Sequence, residues 1–336
     1  MGSADSSEPA LGLPESTTVF GPSSTALGIA PPIETTPAPP RHNEGAAQTR
    51  NPVPEYPEVC TVRLGLERHL VGRRIIDIEL RRPDLRFPFP PGFDQLLRGR
   101  AVQRIDQRGK YLLLRLDEGE YTWLSHLGMS GRWTLLGAES EDSDEGPHDW
   151  VVVHLDNGER AVYSDHRRFG FMDFFPTDEQ EQHELLAHLG PDPTPDHLTP
   201  MDLAERLRGR RTPMKAALLD QKTVAGLGNI YVCEILHRAG VSPRRSAANV
   251  AGKSGVTRRV ERITAATHDV ITEAIDAGGS SISDFVGVGG ALGYFTRSHQ
   301  VYGREGEPCL TEGCDATIRR IVQSGRSTFY CPSCQR

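Results

Sequence analysis

Four cysteines near the carboxyl end carry the most specific chemical signal in this chain. Cys309, Cys314, Cys331 and Cys334 fall as C-x4-C…C-x2-C. Two thiolate knuckles on one short segment are the ligand set of a tetrahedral zinc ion. Four protein sulfurs leave no open coordination position, so such a zinc holds a fold and does no chemistry. The alternative is two disulfides of a secreted module, but no signal-peptide core stands near the start. Between the knuckles, residues 317–322 alternate as a hairpin strand would. Arg319, Arg320, Arg326 and Arg336 make the ribbon a candidate phosphate clamp. Further upstream, Asn229 follows Gly226-Leu227-Gly228 and opens a helical pattern. Its side chain can cap that helix, or the helix N-terminus can hold a phosphate. The glycine-rich run 287–293 is not a nucleotide-binding P-loop, because no Gly-Lys-Ser/Thr follows it.

Something must position these groups, and 336 residues suffice for two or three domains. The net charge of −7 argues against a polyanion partner until it is mapped. Residues 1–53 hold five acids and two bases, 139–149 hold six acids and no base, and 172–198 hold seven acids and no base. The rest of the chain therefore sums to +9. Acids gather in apparent tail, loop and linker, which leaves a basic body suited to a polyanion. No apolar run is long enough for a membrane span. Cys60 and Cys233 sit singly in helical patterns and read as reduced core residues of a cytoplasmic protein.

Residues 1–53 are rich in Pro, Ser, Thr, Gly and Ala without periodicity, which predicts disorder. Order is expected from Pro54. Val59, Val62, Leu66 and Leu70 recur at helical spacing, with Pro57 suited to the first turn. Strands are expected over 74–80, 102–106, 111–116, 123–126, 133–136 and 150–155, and Asn157-Gly158 turns the last into a return strand over 160–164. Many short strands point to a sandwich or barrel over 54–177. The acidic, Pro-containing stretch 178–198 reads as a linker. Helices are then expected over 200–207, 213–219, 229–239 and 256–277 within a domain spanning 199–300, and the cysteine ribbon occupies 301–336.

Several strings recur in a known order. Pro54-Glu55-Tyr56-Pro57-Glu58-Val59 resembles the P-E-x-P-E-V opening of formamidopyrimidine-DNA glycosylases. The resemblance continues through Arg108-Gly109-Lys110-Tyr111-Leu112, His126-Leu127-Gly128-Met129-Ser130-Gly131 and Asp165-His166-Arg167-Arg168-Phe169-Gly170. It resumes at Ala225-Gly226-Leu227-Gly228-Asn229-Ile230-Tyr231, Gly293-Tyr294-Phe295 and Val301-Tyr302-Gly303-Arg304, and so covers 54–336. It implies an α+β, multidomain protein: an N-terminal β-sandwich with a leading helix, a helical domain with a helix–two-turns–helix motif, and a C-terminal zinc finger. It further implies a base-excision repair enzyme that acts on damaged double-stranded DNA and carries one structural zinc; no sequence feature suggests obligate oligomerisation, so a monomer is expected.

In that family the N-terminal proline is the nucleophile. An α-amino group titrates near pH ~8, so part of it is neutral at pH 7 without a large depression. As written, Pro54 is internal and its nitrogen is an amide that cannot attack. The expectation is that 1–53 is absent from the active enzyme. The favoured reason is a mis-assigned start, with Val53 as a GTG initiator, and the other is proteolytic processing. By resemblance Glu55 is the general acid/base and Lys110 touches phosphate and oxidised base. Met129, Arg167 and Phe169 form the wedge that fills the place of an extruded base, and arginine there favours cytosine opposite the lesion. Lys215, Asn229 and Arg326 are implied DNA contacts, Tyr231 and Glu234 line or support the pocket, and the 287–293 run caps a flipped oxidised purine. Plainer roles exist for several of these residues: a turn proline, a helix-dipole carboxylate at Glu58, an exposed turn lysine, core packing for Met129 and Phe169, and a helix cap for Asn229. Three departures stand out: Cys60 where the family usually has Glu, His166 where it has Pro, and four residues rather than two between the first cysteines. The expected activity is release of 8-oxoguanine and formamidopyrimidines with strand nicking by β,δ-elimination. The rivals are an oxidised-pyrimidine glycosylase and, if Pro54 stays internal, a non-catalytic lesion-binding protein.

Overall fold

The computed structural model describes residues 54–140, 146–280 and 295–336. The extension 1–53, residues 141–145 of the acidic run and the glycine-rich run 287–293 lie outside the described residues. The chain enters through α1 (Tyr56–Leu70), with Pro57 in its first turn. Val59, Val62, Leu66 and Leu70 are buried along one stripe, which seats the helix on the core of a β-sandwich.

In chain order the sandwich strands are β1 (Ile75–Leu80), β2 (Val102–Arg108), β3 (Tyr111–Leu116), β4 (Tyr121–His126), β5 (Arg132–Leu136), β6 (Asp149–Leu155), β7 (Arg160–Ser164) and β8 (Phe171–Pro176). A short helix, α2 (Phe93–Leu97), follows β1. One antiparallel sheet has the order β1-β6-β7-β5 and the other β2-β3-β4-β8. Trp123 and Trp133 are fully buried between them, with ring centroids 5.7 Å apart, edge to face. The register of the second sheet matters for function. Tyr111 of β3 pairs with His126 of β4, and His126 pairs with Phe171 of β8. That row sets three connections side by side at one end of the sheet: the β2–β3 turn with Lys110, the loop after His126 with Met129, and the loop before Phe171 with Arg167 and Phe169.

The helical part comprises α3 (Pro200–Leu207), α4 (Met214–Leu219), α5 (Asn229–Arg238), α6 (Ala247–Ala251) and α7 (Arg258–Asp276). Two turns join α4 to α5, one closed by Thr223 N–H on Asp220 O at 2.8 Å and one held by Gly226 N–H on Gln221 Oε1 at 2.8 Å. Residues 230–237 of α5 are all buried, because α4, α7 and the C-terminal hairpin pack around it. That hairpin is β9 (Arg319–Gln323) and β10 (Arg326–Tyr330).

Three elements differ from expectation. β8 was not anticipated, because Phe171-Met172-Asp173-Phe174-Phe175 lacks a clean alternation and runs into acidic sequence. The five-residue helices α2 and α6 are too short to show a period. The stretch 178–198 is packed rather than open. Leu186 is buried against Phe175, and the His183 ring stacks on Phe175 at 4.1 Å. Further along the same stretch, Gly190 N–H bonds Gln221 O at 2.8 Å and Ala225 N–H bonds Pro191 O at 2.9 Å.

Candidate active site

Pro54 is buried and runs straight into the N-cap of α1 at Glu55. The Glu55 carboxylate does not cap its own helix end alone. Its Oε1 accepts from Ile230 N–H at 2.9 Å and Oε2 from Tyr231 N–H at 3.4 Å, so it also serves the N-terminus of α5. Asn229 is therefore the first residue of that helix and not its cap. The cap is Gly228, and any Cβ there would lie 2.3 Å from Glu55 Cδ, so only glycine admits the carboxylate. Burial pushes the Glu55 carboxyl up to about 7. The Lys110 ammonium opposes that shift, Glu58 adds to it, and the two backbone N–H groups oppose it. Burial likewise lowers Lys110, which Glu55 holds up and Arg326 presses down. The structure thus places a carboxyl poised near neutral pH directly after Pro54, within electrostatic reach of Lys110.

Glu58 has a supporting place. Its Oε2 accepts from Glu55 N–H at 2.9 Å. Its Oε1 accepts from the Tyr231 hydroxyl at 2.5 Å and from Ser280 N–H at 2.7 Å. Glu234 also supports: its carboxylate takes the N–H groups of Gln300, Val301 and Tyr302 at 2.8–3.1 Å, which locks α5 to the C-terminal module. The Lys110 turn is bracketed by Asp192 of the packed 178–198 stretch. One Asp192 oxygen accepts from Gly109 N–H and from Arg108 Nη1, each at 2.8 Å. Nothing in the sequence around Asp192 signalled this role.

Lys110 and Arg326 line one cleft of about 330 Å³, together with Tyr111, His126 and Leu227. His126 also lines a neighbouring cleft of about 660 Å³ that holds Met129, Arg167 and Phe169. Met129 is half-buried, Arg167 is exposed and Phe169 is 40% exposed, with the Arg167 guanidinium 4.8 Å from the Phe169 ring centroid. Met129 and Phe169 are thus at the surface and not in the core. Asp165, fully buried, organises the loops that bear Met129 and Arg167. It accepts from the Ser130 hydroxyl, from Arg167 N–H at 3.2 Å and from Gly170 N–H at 2.8 Å. Gly128 has φ +63°, and a Cβ there would meet the Phe169 backbone at 2.3 Å, so the two loops touch only because it is glycine. His126 went unread in the sequence. Its Nδ1 accepts from Gly128 N–H at 3.0 Å, which leaves Nε2 as the protonated nitrogen. Burial, then Lys110 and Arg86, hold its pKa down to about 3, so it is a neutral donor. Its place beside Gly-Met was the signal available.

Lys215 is not on the cleft surface. It is fully buried, and its Nζ donates to Ser327 O and to Thr328 Oγ1, both at 2.7 Å, tying α4 to β10. Asn229 is half-buried and its Oδ1 has no hydrogen-bond partner. The four cysteine sulfurs lie within 4.8 Å of one another, and none forms a disulfide. Cys309 and Cys334 Sγ are 3.9 Å apart and Cys314 and Cys331 Sγ 3.7 Å. A tetrahedron with Zn–S bonds of about 2.3 Å requires sulfur separations of about 3.8 Å, so the set fits zinc despite the wide first knuckle. His237 of α5 places Nε2 3.7 Å from Cys309 Sγ, a contact the sequence did not suggest. Among the described residues, no helix is long and apolar enough to cross a membrane.

A sandwich and a helical module meeting at a basic cleft, rimmed by a four-thiolate finger, define an enzyme of nucleic acid. The comparisons make that class particular. Residues 53–172 match the formamidopyrimidine-DNA glycosylase N-terminal domain, 189–286 match its H2TH domain, and 306–336 match the zinc finger found in FPG and IleRS. The formamidopyrimidine-DNA glycosylase of Chelativorans sp. is 52% identical over 298 residues, spanning 84% of this chain and all of that one. The Brucella ovis enzyme of the same name is 49% identical with the same coverage. A Lactococcus lactis FPG mutant in complex with Fapy-dG-containing DNA superposes with a TM-score of 0.73 at 33% identity, over 84% of this chain and 100% of that one. MutM in complex with carbocyclic 8-oxo-G-containing DNA gives a TM-score of 0.72 at 33% identity with the same coverage. The chain belongs to the formamidopyrimidine-DNA glycosylase family and is a DNA glycosylase of base-excision repair.

Proposed function

We propose that the active form begins at Pro54 and excises oxidised purines, 8-oxoguanine and formamidopyrimidines, from damaged duplex DNA. The neutral imino nitrogen attacks C1′, the base departs with a proton, and the opened sugar remains as an iminium on the enzyme. That iminium acidifies the C2′ hydrogens. Loss of one expels the 3′ phosphate, and a second elimination expels the 5′ phosphate. Glu55, protonated in part at neutral pH, donates to the opening sugar and later recovers the proton. Lys110, His126 and Arg326 hold phosphates, while Met129, Arg167 and Phe169 occupy the vacated stack. Cys309, Cys314, Cys331 and Cys334 would hold one zinc, which supplies structure alone. The active protein is a monomer.

One observation carries this reading: the buried Glu55 carboxylate, held by the N–H groups of Ile230 and Tyr231, directly follows the proline whose nitrogen would react. The family match begins at residue 53, and the whole Chelativorans relative aligns within 84% of this chain, in keeping with an active form that begins at Pro54. The test compares a chain beginning at Pro54 with the full 336-residue chain. Borohydride should trap a covalent adduct with 8-oxoguanine:C duplex for the shorter chain only. Trapping by an intact full-length chain would sink the proline mechanism. Cleavage of thymine-glycol duplexes in preference to 8-oxoguanine would move the substrate to oxidised pyrimidines.

A further inference from the structure

The two cysteine knuckles are not hydrogen-bonded alike. In the tight one, Cys331 Sγ accepts from the backbone N–H groups of Ser333 and Cys334, the latter at 3.4 Å. In the wide one, the Thr311 N–H serves Cys309 in the first of these ways. The second donor is spent elsewhere. Cys314 N–H, which stands where Cys334 N–H does, donates to Thr311 O at 3.0 Å. The two extra residues allow this, since Gly313 at φ +73° turns the chain just before Cys314.

Two side chains stand at Cys309 instead. The Thr311 hydroxyl lies 3.4 Å from Cys309 Sγ. His237 Nε2 lies 3.7 Å from that sulfur and 3.4 Å from the same hydroxyl. Thr311 belongs to the wide knuckle itself, whereas His237 comes from the last turn of α5, 72 residues earlier in the chain. A zinc-bound sulfur is a thiolate and can only accept. The hydroxyl therefore donates to it, and His237 carries its proton on Nε2 and donates into the same triangle. His237 is buried and Thr311 is exposed, so one arm comes from the helical core and the other from the surface of the finger.

We propose that His237 and Thr311 are positioning residues of the zinc site, which hold Cys309 as a thiolate ligand by supplying the hydrogen bonding that the backbone of the wide knuckle withholds. This rests on the reading of the four cysteines as holders of one zinc. It gives α5 a direct part in metal retention, beyond the docking made by Glu234 and Lys215.

The test uses the full 336-residue chain loaded with zinc, and separately with cobalt(II), whose sulfur-to-metal charge-transfer band reports on the thiolates. His237→Phe keeps a ring but no donor, and Thr311→Val keeps the shape but no hydroxyl. Each should lower zinc affinity, read by competition with a chelator, by roughly 10–100-fold. Each should also move the cobalt band to lower energy, because a thiolate relieved of hydrogen bonds gives up charge more readily. His237→Gln, whose amide nitrogen reaches about as far as Nε2, and Thr311→Ser should return both readouts toward wild type. Leu310→Ala, at a 57%-exposed position in the same knuckle, should change neither. Because Thr311 is exposed, Thr311→Val tests the inference even where His237→Phe fails to fold. Unchanged affinity and an unmoved band in Thr311→Val and His237→Phe would overturn the inference and leave the zinc reading standing. A His237→Gln protein as impaired as His237→Phe would do the same, by making the histidine a packing group. A wild-type chain that takes up no zinc would overturn both.

Discussion

At the scale of single residues the proposed chemistry rests on two groups needed in opposite states. The attacking amine must be neutral and Glu55 must carry a proton. A carboxyl with a pKa of about 7 is protonated below that pH, so the rate that depends on its proton falls as pH rises through 7. We therefore expect single-turnover excision by the chain beginning at Pro54 to be bell-shaped in pH, with the amine setting the acid limb and Glu55 the alkaline limb. Glu55→Gln should lose roughly 10²–10⁴-fold in rate, and what remains should rise with pH as the amine deprotonates and show no alkaline limb. A retained alkaline limb in Glu55→Gln would assign it to another group. The fully buried Asp165 predicts a different signature. Asp165→Asn replaces one acceptor oxygen with a donor facing Arg167 N–H or Gly170 N–H. The loops that bear Met129 and Arg167 should loosen, with duplex-lesion affinity lowered by roughly tenfold, about 1.4 kcal/mol, and single-strand affinity unchanged in a titration.

At the scale of elements, α5 is the common mount. Its N-terminus receives Glu55, its middle holds residues 300–302 through Glu234, and its end meets the cysteine cluster through His237. Lys215 completes the docking from α4. Lys215→Met keeps the volume but strands Ser327 O and Thr328 Oγ1, at a cost of about 1–3 kcal/mol each where no water reaches them. Zinc loss to a chelator should accelerate about tenfold or more in Lys215→Met while the sandwich unfolds at its usual denaturant concentration. An unchanged release rate would remove Lys215 from the docking. How much of this was legible follows from range. The cysteine spacing, the Lys110 turn, the Asn157-Gly158 hairpin and most helices are local patterns, and their residues stand together in the chain. Glu55 meets its partners 175 and 176 residues away, and Asp192, Glu234 and Lys215 work through backbone groups that leave no trace in residue type. Lys215 was expected at the DNA by resemblance, because its buried partners leave no trace in the residues around it. β8 was hidden because its aromatic run faces both core and linker, so no two-residue period survives.

At the scale of the molecule, the net charge of −7 conceals a basic body of +9 outside three acidic stretches. Binding to duplex should therefore weaken steeply with salt. Arg326→Ala should reduce the slope of log Kobs against log salt by about 0.9 and weaken affinity for damaged and undamaged duplex alike, since a phosphate contact carries no sequence or lesion information. A selective loss on lesion DNA alone would give Arg326 another part. Zinc removal should act in the same way and more strongly, because the finger carries Arg326 on its hairpin.

Glu58 has a consequence that reaches past catalysis. One carboxylate grips the amide of residue 55 and the amide of Ser280, the last described position before the glycine-rich stretch. Any inherited change that slackens this yoke shifts the backbone after Pro54 and the backbone at Ser280 together.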